Sequence, residues 1–148
     1  MEKNIFRIAK AACALSLMFI SSHACACWEE AAQRYGVNVY LLYAIAKTES
    51  NLNPSAINRN KNGSYDVGLM QINSSWFPIL RKYGIDEEQL YQPCVNIHVG
   101  AWILAQNVRS LGYSWEAVGA YNARHPVRRA QYALKVYKNL PQSAFTAP

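Results

Sequence analysis

Between Val39 and Asn73 the chain passes from an apolar helical pattern to a polar hairpin pattern, and a single carboxylate, Glu49, stands near the junction. Val39, Leu42, Tyr43, Ile45 and Ala46 recur at the spacing that lays a stripe along one helix face, and Asn38 ahead of them is a good N-cap. That helix belongs in a core. Asn51, Asn53 and Pro54 end it, which puts Glu49 in the last turn, where unpaired carbonyls make the potential negative. Desolvation and the helix end both disfavour the ionised form and push the carboxyl pKa upward. An acid that keeps its proton near neutral pH can protonate a leaving group. Position alone favours a plainer reading, a solvated Glu on a frayed turn; motifs further along reverse the balance.

The 148 residues suffice for one domain with a real core, and 51% hydrophobic against 16% charged content excludes general disorder. Residues 1–26 read as a secretory signal peptide: Lys3, Arg7 and Lys10 form a basic leader, Ala11 to Ile20 is an apolar run too short to span a bilayer, and small residues follow at Ser22, Ala24 and Ala26. Cleavage after Ala24 or after Ala26 satisfies the small-x-small rule. The second leaves two cysteines rather than three and is favoured. Cys13 is lost with the leader, so Cys27 and Cys94 remain as the natural disulfide pair. Cys25 as a lipidated first residue is the alternative, disfavoured because Ser22-His23-Ala24 lacks the apolar residue such sites carry.

The formal charge is +6, and it is unevenly placed. Acids stop at Glu116, whereas Arg124, Arg128, Arg129, Lys135 and Lys138 follow. Such a segment is a solvated surface or a means of steering toward an anionic polymer or acidic partner. An exported chain has little occasion to meet nucleic acid, and none is expected.

The remaining pattern is helical with one small sheet, an α+β fold that is predominantly α, in a single domain over residues 27–140 with a frayed tail at 141–148. Trp28 to Tyr35 is a short helix stopped by Gly36. Asn62-Gly63 signals a tight turn between short arms within Ile57 to Asn73. Helices resume through Trp76, Phe77, Ile79, Leu80 and Tyr83 to Gly84, and briefly from Asp86 to Leu90. Pro93 opens a long helix to Leu111 with Val95, Val99, Trp102, Ile103 and Gln106 on one side. His98 lies almost on that side; with no Cys, His or carboxylate at ligand spacing it reads as a core or supporting histidine, not a metal ligand. Ser114 caps Trp115 to Ala120, and Pro126 starts a last amphipathic helix to Leu140 bearing Tyr132, Leu134, Val136 and Tyr137. A cleft between hairpin and helical body is the expected binding site.

Three motifs line up along the chain: Glu49-Ser50 at the helix end, Gly68-Leu69-Met70-Gln71-Ile72-Asn73 in the hairpin region, and Ala120-Tyr121-Asn122-Ala123 at a later helix end. Gly68 permits close backbone approach, and Gln71 offers both donor and acceptor to a sugar hydroxyl or amide. In this order and behind a leader, they resemble the lytic transglycosylases of the lysozyme-like (SLT) superfamily. The likeness is greatest to the small exported enzymes associated with type III and type IV secretion, conjugation and pilus systems of Gram-negative bacteria. It runs from Cys27 to about Tyr137 and includes the cysteine pair.

The resemblance implies a lysozyme-like fold, a periplasmic location, peptidoglycan glycan strands as substrate and a secretion or pilus apparatus protein as partner. The chain is expected to act as a monomer, without cofactor or metal. Glu49 takes the catalytic acid/base role; Gln71 lines the cleft; Tyr121 and Asn122 orient the acid and contact substrate; Ser50, Gly68 and Met70 fall at matching substrate-side or supporting positions. The implied reaction cleaves the β-1,4 bond between N-acetylmuramic acid and N-acetylglucosamine with a 1,6-anhydro product. Asp66 adds a second possibility, because the run Gly63 to Asn73 also looks like the hairpin of animal c-type lysozymes. There the matching aspartate is a nucleophile or electrostatic stabiliser, and hydrolysis would need it to face Glu49. A further alternative is a glycan-binding assembly factor without activity. One departure stands out: the family's third motif usually continues with Gly, whereas here Arg124 and His125-Pro126 follow. If that position needs positive φ, Arg124 is strained and the placement of Tyr121 shifts.

Overall fold

The computed structural model describes residues 27–146; the leader, with Cys13, Cys25 and both cleavage points, lies outside them. Residues 27–35 form α1, and α2 spans Val39–Ser50. Asn38 caps α2 by accepting from the Leu41 N–H at 3.1 Å. Leu42, Ile45 and Ala46 of the expected stripe are wholly buried, with Leu41 and Ala44 beside them. At the far end Asn51 (φ 54) and Leu52 (φ 65) are both left-handed. Their N–H groups return to the carbonyls of Lys47 and Ala46, at 3.2 and 3.4 Å, so the reversal caps the orphan carbonyls of the helix. A leucine tolerates this conformation only where packing enforces it, and Leu52 lies against the core.

The sheet has three antiparallel strands in the order β1 (Ile57–Arg59), β2 (Tyr65–Val67), β3 (Ile72–Asn73). The expected hairpin is β1–β2, with Gly63 at φ 84 in its turn. A third strand of two residues extends it, pairing Asp66 with Asn73 and Val67 with Ile72. The tight connection before β3 requires Gly68 at φ 77, since an added Cβ would lie 2.7 Å from the Leu90 carbonyl and collide with Asn96.

After α3 (Phe77–Leu80), α4 (Pro93–Leu111) runs through the centre. Its deep face is not the stripe expected from its large residues. Val99 and Ile103 are buried, but Val95, Trp102 and Gln106 are only half-buried, and the rest of the deep face is Asn96, Ile97, Gly100, Ala101, Leu104 and Ala105. The reason is close packing: a Cβ on Gly100 would sit 2.6 Å from the Met70 methyl carbon, so Met70 fills the groove that Gly100 leaves. His98 packs edge-on against Tyr35, and its Nε2 lies 3.8 Å from a Glu30 carboxylate oxygen.

Cys27 and Cys94 are joined in a disulfide that ties the start of α1 to the start of α4, 67 residues apart. Closing a loop of that size restricts the unfolded chain by roughly 4 kcal/mol in the chain-entropy account. Finally α5 (Trp115–Gly119) and α6 (Pro126–Lys138) pack closely, α6 also resting on α2. Tyr132, Ala133 and Val136 are its buried residues. Leu134 and Tyr137, expected on the same stripe, are 54% and 49% exposed; the i, i+4 pair Tyr132 and Val136 sets the inward face instead. Gln142–Phe145 forms a 3-10 turn whose Phe145 meets Tyr137 edge-on.

Candidate active site

The end of α2 delivers Glu49 into a cleft of about 880 Å³, with the sheet on one side and the α5–α6 segment on the other. From α6, which packs on α2, the buried Tyr132 hydroxyl donates to Glu49 Oε1 at 2.5 Å. The Glu49 pKa is raised to about 7, chiefly because burial disfavours the ionised form. The Tyr132 hydrogen bond opposes this by favouring the carboxylate; Asp66 adds to the rise, while Lys135 and the Asn122 amide pull it down. Burial also pushes the Tyr132 phenol far upward, so it remains a donor at any working pH.

Asp66 also lines this cleft. It sits in the middle of β2, opposite Asn58 on one strand and Asn73 on the other. Asn73 Nδ2 donates to Oδ1 at 2.7 Å, and Asn60 Nδ2 and Asn58 Nδ2 donate to Oδ2 at 2.9 and 3.5 Å. Three amides thus fix a carboxylate in place, and its charge helps keep the proton on Glu49.

Gln71, Tyr121 and Asn122 line the cleft as well, but Ser50, Gly68 and Met70 do not. Gly68 and Met70 are buried beneath it, and Ser50 Oγ donates to the Leu69 carbonyl at 2.8 Å. These three hold the floor and do not face a ligand. Tyr121 Oη donates to the Met70 carbonyl at 2.9 Å, so it braces that floor, and the hydroxyl that meets Glu49 belongs to Tyr132. Gln71, left-handed at φ 50, uses Nε2 to donate to the carbonyls of Gly68 and Ala56. Its Oε1 is the half left for a ligand.

Beneath the floor lies Asn96, 1% exposed, accepting from the Met70 N–H at 2.7 Å and donating to the carbonyls of Leu90 and Val67. Sequence reasoning missed Asn96, Tyr132 and the amides around Asp66. The only available signal was an amide amid the apolar residues of α4, and a cluster of asparagines flanking Asp66 in β1 and β3. Arg124 is unstrained: among the described non-glycine residues only Asn51, Leu52 and Gln71 have positive φ. The turn after Tyr121 is held instead by Arg129, whose Nε donates to the Ala123 carbonyl at 3.0 Å while Nη1 binds Glu116 at 2.7 Å.

The Tyr132 contact has a measurable consequence. In Tyr132→Phe the donor that favours the ionised acid is gone, so the Glu49 pKa rises further and activity persists to more alkaline pH. A pH–rate profile with its basic limb above the wild-type midpoint is expected; an unmoved or acid-shifted limb contradicts the assignment.

Against this geometry, residues 26–138 match the model of the family described as Transglycosylase SLT domain. The chain belongs to the SLT transglycosylase family. Among its relatives are the Invasion protein IagB of Salmonella typhimurium (strain SL1344), 48% identical over 118 residues, covering 76% of this chain and 74% of that protein. Protein IpgF of Shigella flexneri is 44% identical over 117 residues, covering 76% and 77%. A solved structure of the lytic transglycosylase Slt from Pseudomonas aeruginosa, an inactive glutamate-to-glutamine variant, superposes with a TM-score of 0.66 at 25% identity. It covers 83% of this chain, which spans about a quarter of that longer protein (24%). As an SLT transglycosylase the protein is a peptidoglycan lytic enzyme with a lysozyme-like fold.

Proposed function

We propose that this SLT transglycosylase is exported to the periplasm, where Glu49 alone provides acid and base for cleavage with a 1,6-anhydro product. The observation that carries the reading is the pairing of one acid with a pKa near 7 with one aspartate already held by three amides. Protonated Glu49 donates to the glycosidic oxygen between N-acetylmuramic acid and N-acetylglucosamine, and the bond from that oxygen to muramic C1 breaks. The N-acetylglucosamine leaves with the proton on its O4. Positive charge developing at C1 is offset by the fixed charge of Asp66 and by the substrate's own 2-acetamido oxygen. Ionised Glu49, now supported by the Tyr132 hydroxyl, takes the proton from the C6 hydroxyl as its oxygen bonds to C1. Glu49 is thereby reset, and no water is consumed.

Export is supported by the leader pattern of residues 1–26. A role in opening the wall locally for a secretion or pilus apparatus is supported by the name of the relative IagB, an invasion protein. Catalysis by Glu49 is supported by the similar Slt enzyme, whose inactive variant carries a glutamine in place of a glutamate.

Mass spectrometry of fragments released from purified sacculi tests the product. Muramyl ends lighter by one water are expected. Ordinary reducing ends would mean that water, not the C6 hydroxyl, attacks C1, and the enzyme would be a hydrolase using Asp66.

A further inference from the structure

Three cations line the cleft besides the groups already described: Lys61 from the β1–β2 turn, and Arg124 and Arg128 from the α5–α6 side. All three are exposed, and none forms an ion pair among the described residues, where the pairs are Arg129 with Glu116 and His98 with Glu30. Their neighbour Arg129 shows the contrast, since it is engaged in bracing the turn.

Stability does not account for them. Arg128 stands in the first turn of α6, where the helix end carries partial positive charge and a cation is disfavoured. Nor do they tune the acid: the cation that draws the Glu49 pKa down is Lys135. The two carboxylates of the cleft are otherwise engaged, Glu49 by Tyr132 and Asp66 by its three amides. A neutral β-1,4 glycan gives three cations nothing to bind. What peptidoglycan adds to such a glycan is acidic: the lactyl arm of each muramyl unit ends either in a stem peptide bearing carboxylates or, once stripped, in a carboxylate of its own.

We propose that Lys61, Arg124 and Arg128 form a carboxylate-binding rim that selects strands with an acidic lactyl substituent over neutral glycan. The proposal rests on the transglycosylase reading and names a substrate preference for the same site. Each guanidinium can hold a carboxylate through two parallel N–H donors, a geometry that an ammonium lacks.

The test is binding, read separately from turnover. The full mature chain carrying Glu49→Gln, which does not consume the ligand, is titrated with labelled strands of equal length. These carry intact stem peptides, a bare lactyl carboxylate after amidase treatment, stem peptides with carboxylates converted to amides, or no muramyl unit at all. Adding Arg124→Ala and Arg128→Ala is expected to weaken binding of acidic strands about tenfold, the sum of two exposed charge pairs, and to flatten its salt dependence. Amidated and muramyl-free strands should bind both proteins equally and weakly. Arg124→Lys with Arg128→Lys, which keeps both charges but loses the paired donors, should bind acidic strands with an affinity between those of the Arg and Ala proteins, and matching thermal melts verify the fold. Loss on peptide strands alone assigns the rim to the stem; loss on stripped strands as well assigns it to the lactyl carboxylate. The same loss on neutral strands, or none on acidic ones, overturns the proposal. Anhydro ends released by the protein with native Glu49 report on the reaction independently: their absence alongside carboxylate-dependent binding would sink the mechanism and leave the rim standing.

Discussion

Glu49→Gln should lower the rate of wall cleavage by about 10³-fold or more while the protein stays folded, because the amide keeps the shape of the acid and has no proton to give. Gln can still accept from the Tyr132 hydroxyl, so the interaction that positions the group survives. Stability then separates the two proteins by pH. The folded pKa, about 7, lies above the ordinary 4.5, so the native state binds this proton more tightly than the unfolded chain. The resulting stabilisation is fully present below about 4.5 and is lost as pH rises through about 7, amounting to roughly 3 kcal/mol in all. Gln has no such dependence. The melting temperature of the variant relative to wild type should therefore climb between pH 4.5 and 7 and level off above. Wild-type activity should fall over the upper part of that range, as the general acid loses its proton. A variant that digests sacculi normally, or a melting difference that declines with rising pH, would contradict a buried acid at position 49.

Glu49 was legible through its motif context: a carboxylate at the end of an apolar helix is an oddity that position alone reads as a solvated turn, and the motifs at residues 68–73 and 120–123 tip the balance. At Gly68 the need for close backbone approach was legible, but its partners are the Leu90 carbonyl and Asn96 beneath the cleft and not a ligand. Other parts of the site follow local rules and so leave no trace. Tyr132 satisfies the stripe of an amphipathic helix, and nothing in that stripe distinguishes a core tyrosine from one whose hydroxyl reaches Glu49. The face of α4 was misjudged for a related reason. Hydrophobic periodicity weighs large side chains, whereas the deep face of that helix includes Gly100, whose missing side chain leaves the space that Met70 fills. β3, at two residues, is shorter than any alternation that a sequence can display. The strain expected at Arg124 does not arise, since Arg129 closes the turn through a side-chain bond to the Ala123 carbonyl and no left-handed residue is needed.

Asn96→Ala should cost about 3–5 kcal/mol, a large part of the 5–15 kcal/mol that keeps an ordinary domain folded. The side chain is 1% exposed and satisfies three backbone groups: the Met70 N–H at 2.7 Å, the Leu90 carbonyl at 2.7 Å and the Val67 carbonyl at 3.1 Å. Alanine leaves these three groups buried beside a void that Gly68 is too small to fill. Asn96→Asp is the sharper comparison, since it keeps the volume and the acceptor but loses both donors and buries a charge; it should destabilise at least as much at neutral pH and less in acid. The damage is also directed. Met70 donates its N–H to Asn96 and accepts at its carbonyl from Tyr121, and Leu69 next to it accepts from Ser50 in the same turn of α2 as Glu49. Loosening that strip should lower cleavage even at temperatures where the variant remains folded. Denaturant titration with activity measured well below the midpoint checks both halves, and a loss of less than 1 kcal/mol with full activity would mean that Asn96 does not fasten the floor of the cleft.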